Sequence, residues 1–189
     1  MRAFFDISVG AVLVEISDNF FEIFGLPVSY DIDISQLSER YRTMQRQFHP
    51  DKYAGKPARE QRLAEQYAAV VNQAYNELKS PLLRAQYLLS LHGVDGANET
   101  AITRDPDFLM EQMTLREALS EVRDANDSHA SLAEINEHAI GEYRSLQKLF
   151  SECLGAADMD HAAEAVAKMQ FFSKLISEIH ELEHELDEE

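Results

Sequence analysis

The chain has 189 residues, a formal net charge of −17, 45% apolar residues and a single cysteine, Cys153. That length can bury the core of one or two small domains, and one cysteine excludes an internal disulfide, as expected of a reducing compartment. The seven glycines and five prolines fall nearly all at predicted element ends, which leaves little room for a sheet and makes the class all-α.

The charge is distributed unevenly. Residues 34–62 hold seven Lys or Arg against three Asp or Glu, whereas from residue 92 onward there are seven against twenty-three. A basic patch on an acidic body argues against nucleic acid and anionic membranes as partners of the C-terminal half, and for an acidic partner surface at residues 34–62. A charge run is also the ordinary signature of a solvated face, and taken alone the asymmetry does not choose between the two.

At the N-terminus, Arg2 followed by the uncharged run Ile7 to Val14 superficially resembles a secretory signal. The run is only eight residues long, is bounded by Asp6 and Glu15, and has no small-x-small site after it. It is neither a signal peptide nor a membrane span. Residues 1–18 read as an extended or mis-assigned start, or a tag-like segment that pairs loosely with the body.

Leu37, Tyr41, Met44 and Phe48 fall at i, i+4, i+7 and i+11, one stripe of a helix, with Arg40, Arg42 and Arg46 off that stripe toward solvent. Pro50 disfavours helical geometry in the residue before it and lacks an N–H, so this helix should stop near His49. A loop through Gly55 and Pro57 follows. Leu63, Tyr67, Val70, Val71, Ala74 and Leu78 then mark a second helix able to pack antiparallel on the first.

The loop opens with His49-Pro50-Asp51-Lys52. A His-Pro-Asp tripeptide arises by accident in roughly one chain in fifty of this length, so it carries weight only through its context. Read alone it is a helix stop, with Asp51 capping the turn and His49 solvated. With the hairpin, the flanking cations and Phe20-Phe21-Glu22-Ile23-Phe24-Gly25-Leu26-Pro27 before it, residues 19–91 resemble the J-domain of DnaJ-type co-chaperones. In that family the tripeptide stimulates ATP hydrolysis by a DnaK-type chaperone. The resemblance implies that His49, Pro50, Asp51 and Lys52, with Arg40, Arg42 and Arg46, bind such a chaperone.

Ser80-Pro81-Leu82-Leu83-Arg84-Ala85-Gln86-Tyr87-Leu88-Leu89, Leu91-His92-Gly93 and Phe108-Leu109-Met110-Glu111-Gln112-Met113 make the match more specific. With them the chain is similar to the HscB family, co-chaperones of iron-sulfur cluster biogenesis. The similarity covers residues 19 to about 186, dense to about Glu121 and looser beyond, where Lys168 to Leu175 corresponds. Bacterial members begin near Asn19. The N-terminal metal-binding cysteine module of some eukaryotic members is missing, which points to the bacterial type and to the cytoplasm.

Gly93 to Arg104 collects Gly, Asp, Asn, Glu and Thr and reads as a linker between a J-domain over 19–92 and a C-terminal domain over 105–189. Three helices are expected there, over about 105–124, 131–154 and 159–186, with Asn126-Asp127-Ser128 and Gly155 as breaks. Short connections fold three helices most simply into an antiparallel bundle or coiled coil. Val166, Met169, Phe172, Ile176, Ile179, Leu182 and Leu186 form the seam of the last. The family resemblance implies an L-shaped arrangement of the two domains. Cys153 falls on the stripe Ile135, Ala139, Tyr143, Leu146, Phe150 and Cys153, where a small buried hydrophobe is the favoured reading over a nucleophile or cluster ligand.

The first C-terminal helix has two apolar stripes. Phe108, Leu115, Leu119 and Val122 make one; Leu109, Met110 and Met113, continued by Glu117 and Glu121, make the other. Periodicity alone favours a wide core face, while a methionine-rich patch rimmed by carboxylates also suits an adaptable protein-binding surface. The HscB resemblance selects the second reading: it implies that an IscU-type scaffold docks on Leu109, Met110, Met113, Glu117, Glu121 and Phe171. Met113 and Phe172 replace leucines common in the family.

His180-Glu181-Leu182-Glu183-His184 fits the His-Glu-x-x-His pattern of zinc peptidases, with both histidines on one helix face and Glu181 available as a base. A catalytic zinc needs a third protein ligand, and only five residues follow His184, so no downstream helix supplies one and the ligand would have to come from upstream. The surrounding glutamates and seam residues fit a solvated coiled-coil face instead. The expectation is therefore a non-enzymatic adaptor without cofactor or metal. It would stimulate an HscA-like DnaK-type chaperone and deliver an IscU-type iron-sulfur scaffold to it. The alternatives are a general DnaJ-type co-chaperone presenting unfolded clients and, more remotely, a zinc peptidase. Lack of a Gly/Phe-rich segment and of cysteine-rich repeats speaks against the general co-chaperone.

Overall fold

The computed structural model describes residues 5–9 and 12–16 by their backbone, and residues 19–95 and 105–188 in full. From residue 19 on, the described chain is helical, in accord with the all-α expectation. Ahead of it β1 (Phe5–Val9) pairs antiparallel with β2 (Val12–Ile16), in a register that sets Asp6 opposite Glu15 and Ile7 opposite Val14. The sequence reading had no regular structure for this segment. The predicted linker lies mostly outside the described residues, since residues 96–104 are not among them. The chain divides into two units at the Arg84–Ala85 bond.

After the strands, the first unit continues with the short α1 (Phe20–Ile23), capped by the Asn19 side chain, which accepts a hydrogen bond from the Phe21 N–H. Gly25 closes it at φ +58, a left-handed conformation that glycine adopts without cost. In α2 (Ile34–Gln47), Asp33 accepts from the N–H groups of Ser35 and Gln36, satisfying donors that no helical carbonyl reaches. Leu37 and Phe48 are buried and Tyr41 and Met44 half-buried, so the predicted stripe is the one that packs. It meets α3 (Ala58–Lys79), whose Ala64, Tyr67, Val71, Ala74 and Leu78 are buried. The Tyr41 and Tyr75 rings stack at 3.9 Å and the Phe48 and Tyr67 rings tilt together at 3.9 Å.

After α3, α4 (Pro81–Leu91) begins at a proline and carries Arg84, which is 6% exposed. A buried cation must be paired or hydrogen-bonded. Here the guanidinium donates to the Leu78 carbonyl at 2.6 Å and lies 4.9 Å from the centre of the Tyr30 ring.

The second unit holds α5 (Pro106–Glu121), α6 (Ser128–Gly155) and α7 (Met159–Glu188), with a 3-10 turn at Val122–Asp124 ending the first. All three predicted helices are present, each within a few residues of its expected ends. Asp105 caps α5 and Asp127 caps α6, accepting from the N–H groups of Phe108 and Ala130. The expected break at Gly155 is displaced: Gly155 is the last helical residue, and Ala157 takes the left-handed conformation at φ 57. The N–H of Asp158 bonds back to the Cys153 carbonyl there, closing the helix end.

The α6–α7 pair packs along its length. Its core is Leu132, Ala139, Leu146 and Phe150 against Ala162, Ala165, Val166, Met169, Phe172, Leu175 and Ile179. Cys153 is half-buried, at the edge of this core. Burial, followed by the nearby Asp158, Glu152 and Glu164 carboxylates, raises its thiol above the usual value, so it stays protonated. Ion pairs Lys168–Asp105, Arg116–Glu178 and Arg123–Glu185 join α5 to α7 at a nearly constant sequence separation. The two helices therefore run parallel, with α6 antiparallel between them in chain order.

Candidate functional site

The first candidate surface is the tip of the α2–α3 hairpin. His49 is extended at φ −61, ψ 130, as a residue before proline should be, and Pro50–Tyr53 forms one 3-10 turn. The His49 ring nitrogen Nδ1 accepts from the Asp51 N–H at 3.4 Å and lies 3.5 Å from the Asp51 carboxylate. The capping roles are the reverse of the simple helix-stop reading: the histidine caps the turn and the aspartate is free of it. Side chains of His49 and Asp51 are 58% and 90% exposed, so neither belongs to a core. A rigid turn thus presents an imidazole and a carboxylate to solvent.

Beside the tip, Glu39, Arg42, Gln45, Arg46, His49 and Lys52 line an open concave surface with three fixed cations. Arg42 and Arg46 are exposed, as their place off the apolar stripe requires. Arg40 is not. It is half-buried and its guanidinium donates to the carbonyls of Phe24 and Gly25, the latter at 2.6 Å. The free carbonyls at the end of α1 need a donor, and arginine is long enough to reach them from α2. The expectation that Arg40 points to solvent is corrected: it ties α1 to the hairpin.

The second candidate surface lies on α5. Phe108, Leu115 and Val122 are buried, while Leu109, Met110 and Met113 are 36%, 69% and 73% exposed. The second apolar stripe is therefore not a wider core face. Leu109 and Met113, and Met110 and Met113, are one helical turn apart, and the exposed Glu117 and Glu121 continue the row. Phe171 of α7 is half-buried, edge-on to Phe108 at 5.6 Å. Arg116, one turn beyond Met113, sits 5.7 Å over the Phe171 ring while bonding Glu178 at 3.1 Å. Phe172, its neighbour in sequence, is buried in the seam.

The predicted residues thus form two separate groups, one in each unit. Sequence reading missed Lys168. Its ammonium bonds Asp105 at 2.6 Å and Glu164 at 2.8 Å and lies 5.2 Å from the centre of the Phe108 ring. Only the Glu164 partner, four residues back on the same helix, left a sequence signal. His180, Glu181 and His184 are all exposed on α7, and His184 lies 3.5 Å from Glu188. Among the described residues no group of three or more His, Cys, Asp or Glu is placed to hold a metal ion. Among them, too, no helix is long and apolar enough to cross a membrane.

Comparison with known proteins matches both units. Residues 19–87 fit the DnaJ domain and residues 104–180 fit the HSCB C-terminal oligomerisation domain. The co-chaperone protein HscB of Proteus mirabilis (strain HI4320) is 42% identical over 168 residues, covering 89% of this chain and 97% of that protein. The HscB homolog of Shewanella loihica (strain ATCC BAA-1088 / PV-4) is 41% identical over 174 residues, with 89% and 99% covered. The solved structure of chaperone HscB from Vibrio cholerae superposes with a TM-score of 0.82 at 39% identity, over 89% of this chain and 99% of that one. These relatives align over nearly their whole length and this chain matches both domain models, so the chain belongs to the HscB family of J-domain co-chaperones.

Proposed function

We propose that the protein is a cytoplasmic adaptor that stimulates the ATPase of an HscA-like DnaK-type chaperone and brings an IscU-type iron-sulfur scaffold to it. His49, Pro50, Asp51 and Lys52, with Arg42 and Arg46, form the chaperone-binding face. Arg40 supports that face by fixing α1. The cations steer an acidic partner and orient it, while the rigid turn sets the imidazole and carboxylate against the chaperone's polar groups. Hydrolysis is the chaperone's own chemistry, and the cluster is the scaffold's cargo.

The observation that carries the reading is the exposed Leu109, Met110 and Met113 row with Glu117 and Glu121, in a chain whose other unit presents a His-Pro-Asp tip. Unbranched, polarizable methionines repack against a partner at little cost, and a solvent-facing apolar row of this kind needs a reason. Phe171 supplies an aromatic anchor beside it. We assign residues 19–92 to the chaperone and 105–189 to the scaffold, joined by residues 93–104. Holding both partners on one chain raises the scaffold's effective concentration at the chaperone.

Steady-state ATP turnover by an HscA-type chaperone, with and without the scaffold, tests this. The wild-type chain should stimulate turnover, more than additively when scaffold is present. Asp51→Asn should abolish stimulation yet leave helicity and scaffold binding unchanged, because the Asp51 side chain is 90% exposed. Equal stimulation by the variant sinks the chaperone half. Competition by an unfolded polypeptide for the α5 surface sinks the scaffold half in favour of a general co-chaperone.

A further inference from the structure

The α5 surface is carried by a helix that meets α7 through side chains rather than by close backbone approach. A ladder of three charged pairs runs between the two helices, with Lys168 over the Phe108 ring and Arg116 over the Phe171 ring. Two rungs, Arg116–Glu178 and Arg123–Glu185, have arginine side chains 49% and 45% exposed. Such pairs are screened by water and salt and fix little. The third differs. The Lys168 side chain is 18% exposed, and its ammonium bonds the carboxylates of Asp105 and Glu164 over the face of Phe108.

Asp105 works in two directions. One oxygen caps α5 by accepting from the Phe108 N–H at 3.1 Å; the other accepts from Lys168 of α7 at 2.6 Å. The first turn of α5 is thereby fastened at its cap to a single point on α7. Leu109 is one residue beyond Phe108, and Phe171 is three beyond Lys168, so the fastening sits where the two halves of the surface meet. A one-turn slip of α5 along α7 would separate Asp105 from Lys168, leaving the lysine only Glu164 of its own helix and the Asp105 carboxylate without its cation.

We propose that Lys168 is a positioning residue for the α5 surface, locking the α5–α7 register in which Leu109, Met110, Met113 and Phe171 act as one binding face. This rests on the scaffold reading above for its binding consequence, though the register itself does not. The ammonium makes both the bond to Asp105 and the approach to the Phe108 ring, so a side chain without it, such as that of methionine, releases α5.

The test uses the full chain and a scaffold prepared without cluster, titrated calorimetrically, together with hydrogen exchange of α5 amides in the absence of scaffold. Lys168→Met should weaken binding roughly tenfold, the loss of one charge-assisted bond, and speed exchange in α5 but not in α2 or α3. Lys168→Arg should recover most of both. Asp105→Asn, which keeps the cap but not the charge, should shift both readouts in the same direction, and it decides the matter should Lys168→Met lose helicity. Leu109, Met110 and Phe171 changed together to Ala is the control. If that control loses binding while Lys168→Met and Asp105→Asn do not, the proposal is overturned and the scaffold site stands. If the control keeps its affinity, the scaffold site is lost, and unchanged α5 exchange in Lys168→Met then overturns the register lock as well.

Discussion

Single residues decide how sharply each helix is defined at its ends. At the start of α7, Asp158 accepts from the His161 N–H and its other oxygen lies 2.7 Å from the His161 ring. The bond to Asp158, reinforced by its charge and those of Glu164 and Asp160, raises His161 above its ordinary 6.5. The His161 N–H and then its ring hold Asp158 below its ordinary 3.8. A raised histidine contributes stability fully below 6.5, lost as pH climbs through the raised value. A depressed carboxylate contributes above 3.8, lost as pH falls through the lowered value. The pair is therefore strongest between those limits. His161→Gln should lower the melting temperature more at about pH 5.5 than at alkaline pH, where the imidazole has lost its charge, and thermal unfolding at the two extremes will check this. None of this was legible beforehand, because an Asp three residues before a His is common and only the cap geometry gives it meaning.

Elements are governed by stripes, caps and the turns between them. The stripes of α2, α3 and α7 were readable because apolar periodicity is a local property of the chain. The α6–α7 turn falls where it is expected, but not on the expected residue: glycine is best suited to a left-handed helix end, yet Gly155 remains helical and Ala157 bears that conformation. An L-residue there costs about 1–2 kcal/mol against the Cβ clash. Ala157→Gly should stabilise the unit by about 1 kcal/mol after the extra chain entropy of glycine is subtracted, measured as a higher urea midpoint with an unchanged slope. The β1–β2 pair also had a signal that went unused. Phe5, Ile7 and Val9, then Val12, Val14 and Ile16, alternate with other residues at period two, the mark of strands.

At the scale of the whole molecule, two units with separate surfaces make a prediction that neither makes alone. Leu109, Met110 and Phe171 changed together to Ala should weaken scaffold affinity by several kcal/mol, as truncating a central apolar anchor does. Chaperone stimulation without scaffold should stay at the wild-type level, and the extra stimulation on adding scaffold should vanish. Turnover measured in both conditions reads the two outcomes from one preparation. The sequence by itself determined the helices, the polar tip at His49, Pro50 and Asp51, and the existence of a second apolar stripe on α5, because each is written in spacings of a few residues. Tertiary structure alone decided that this stripe faces solvent, that Arg40 turns back to the end of α1, and that Lys168 meets Asp105 across 63 residues. Pairings over such distances leave no periodic trace in the chain, since they depend on which helices pack together and in what register.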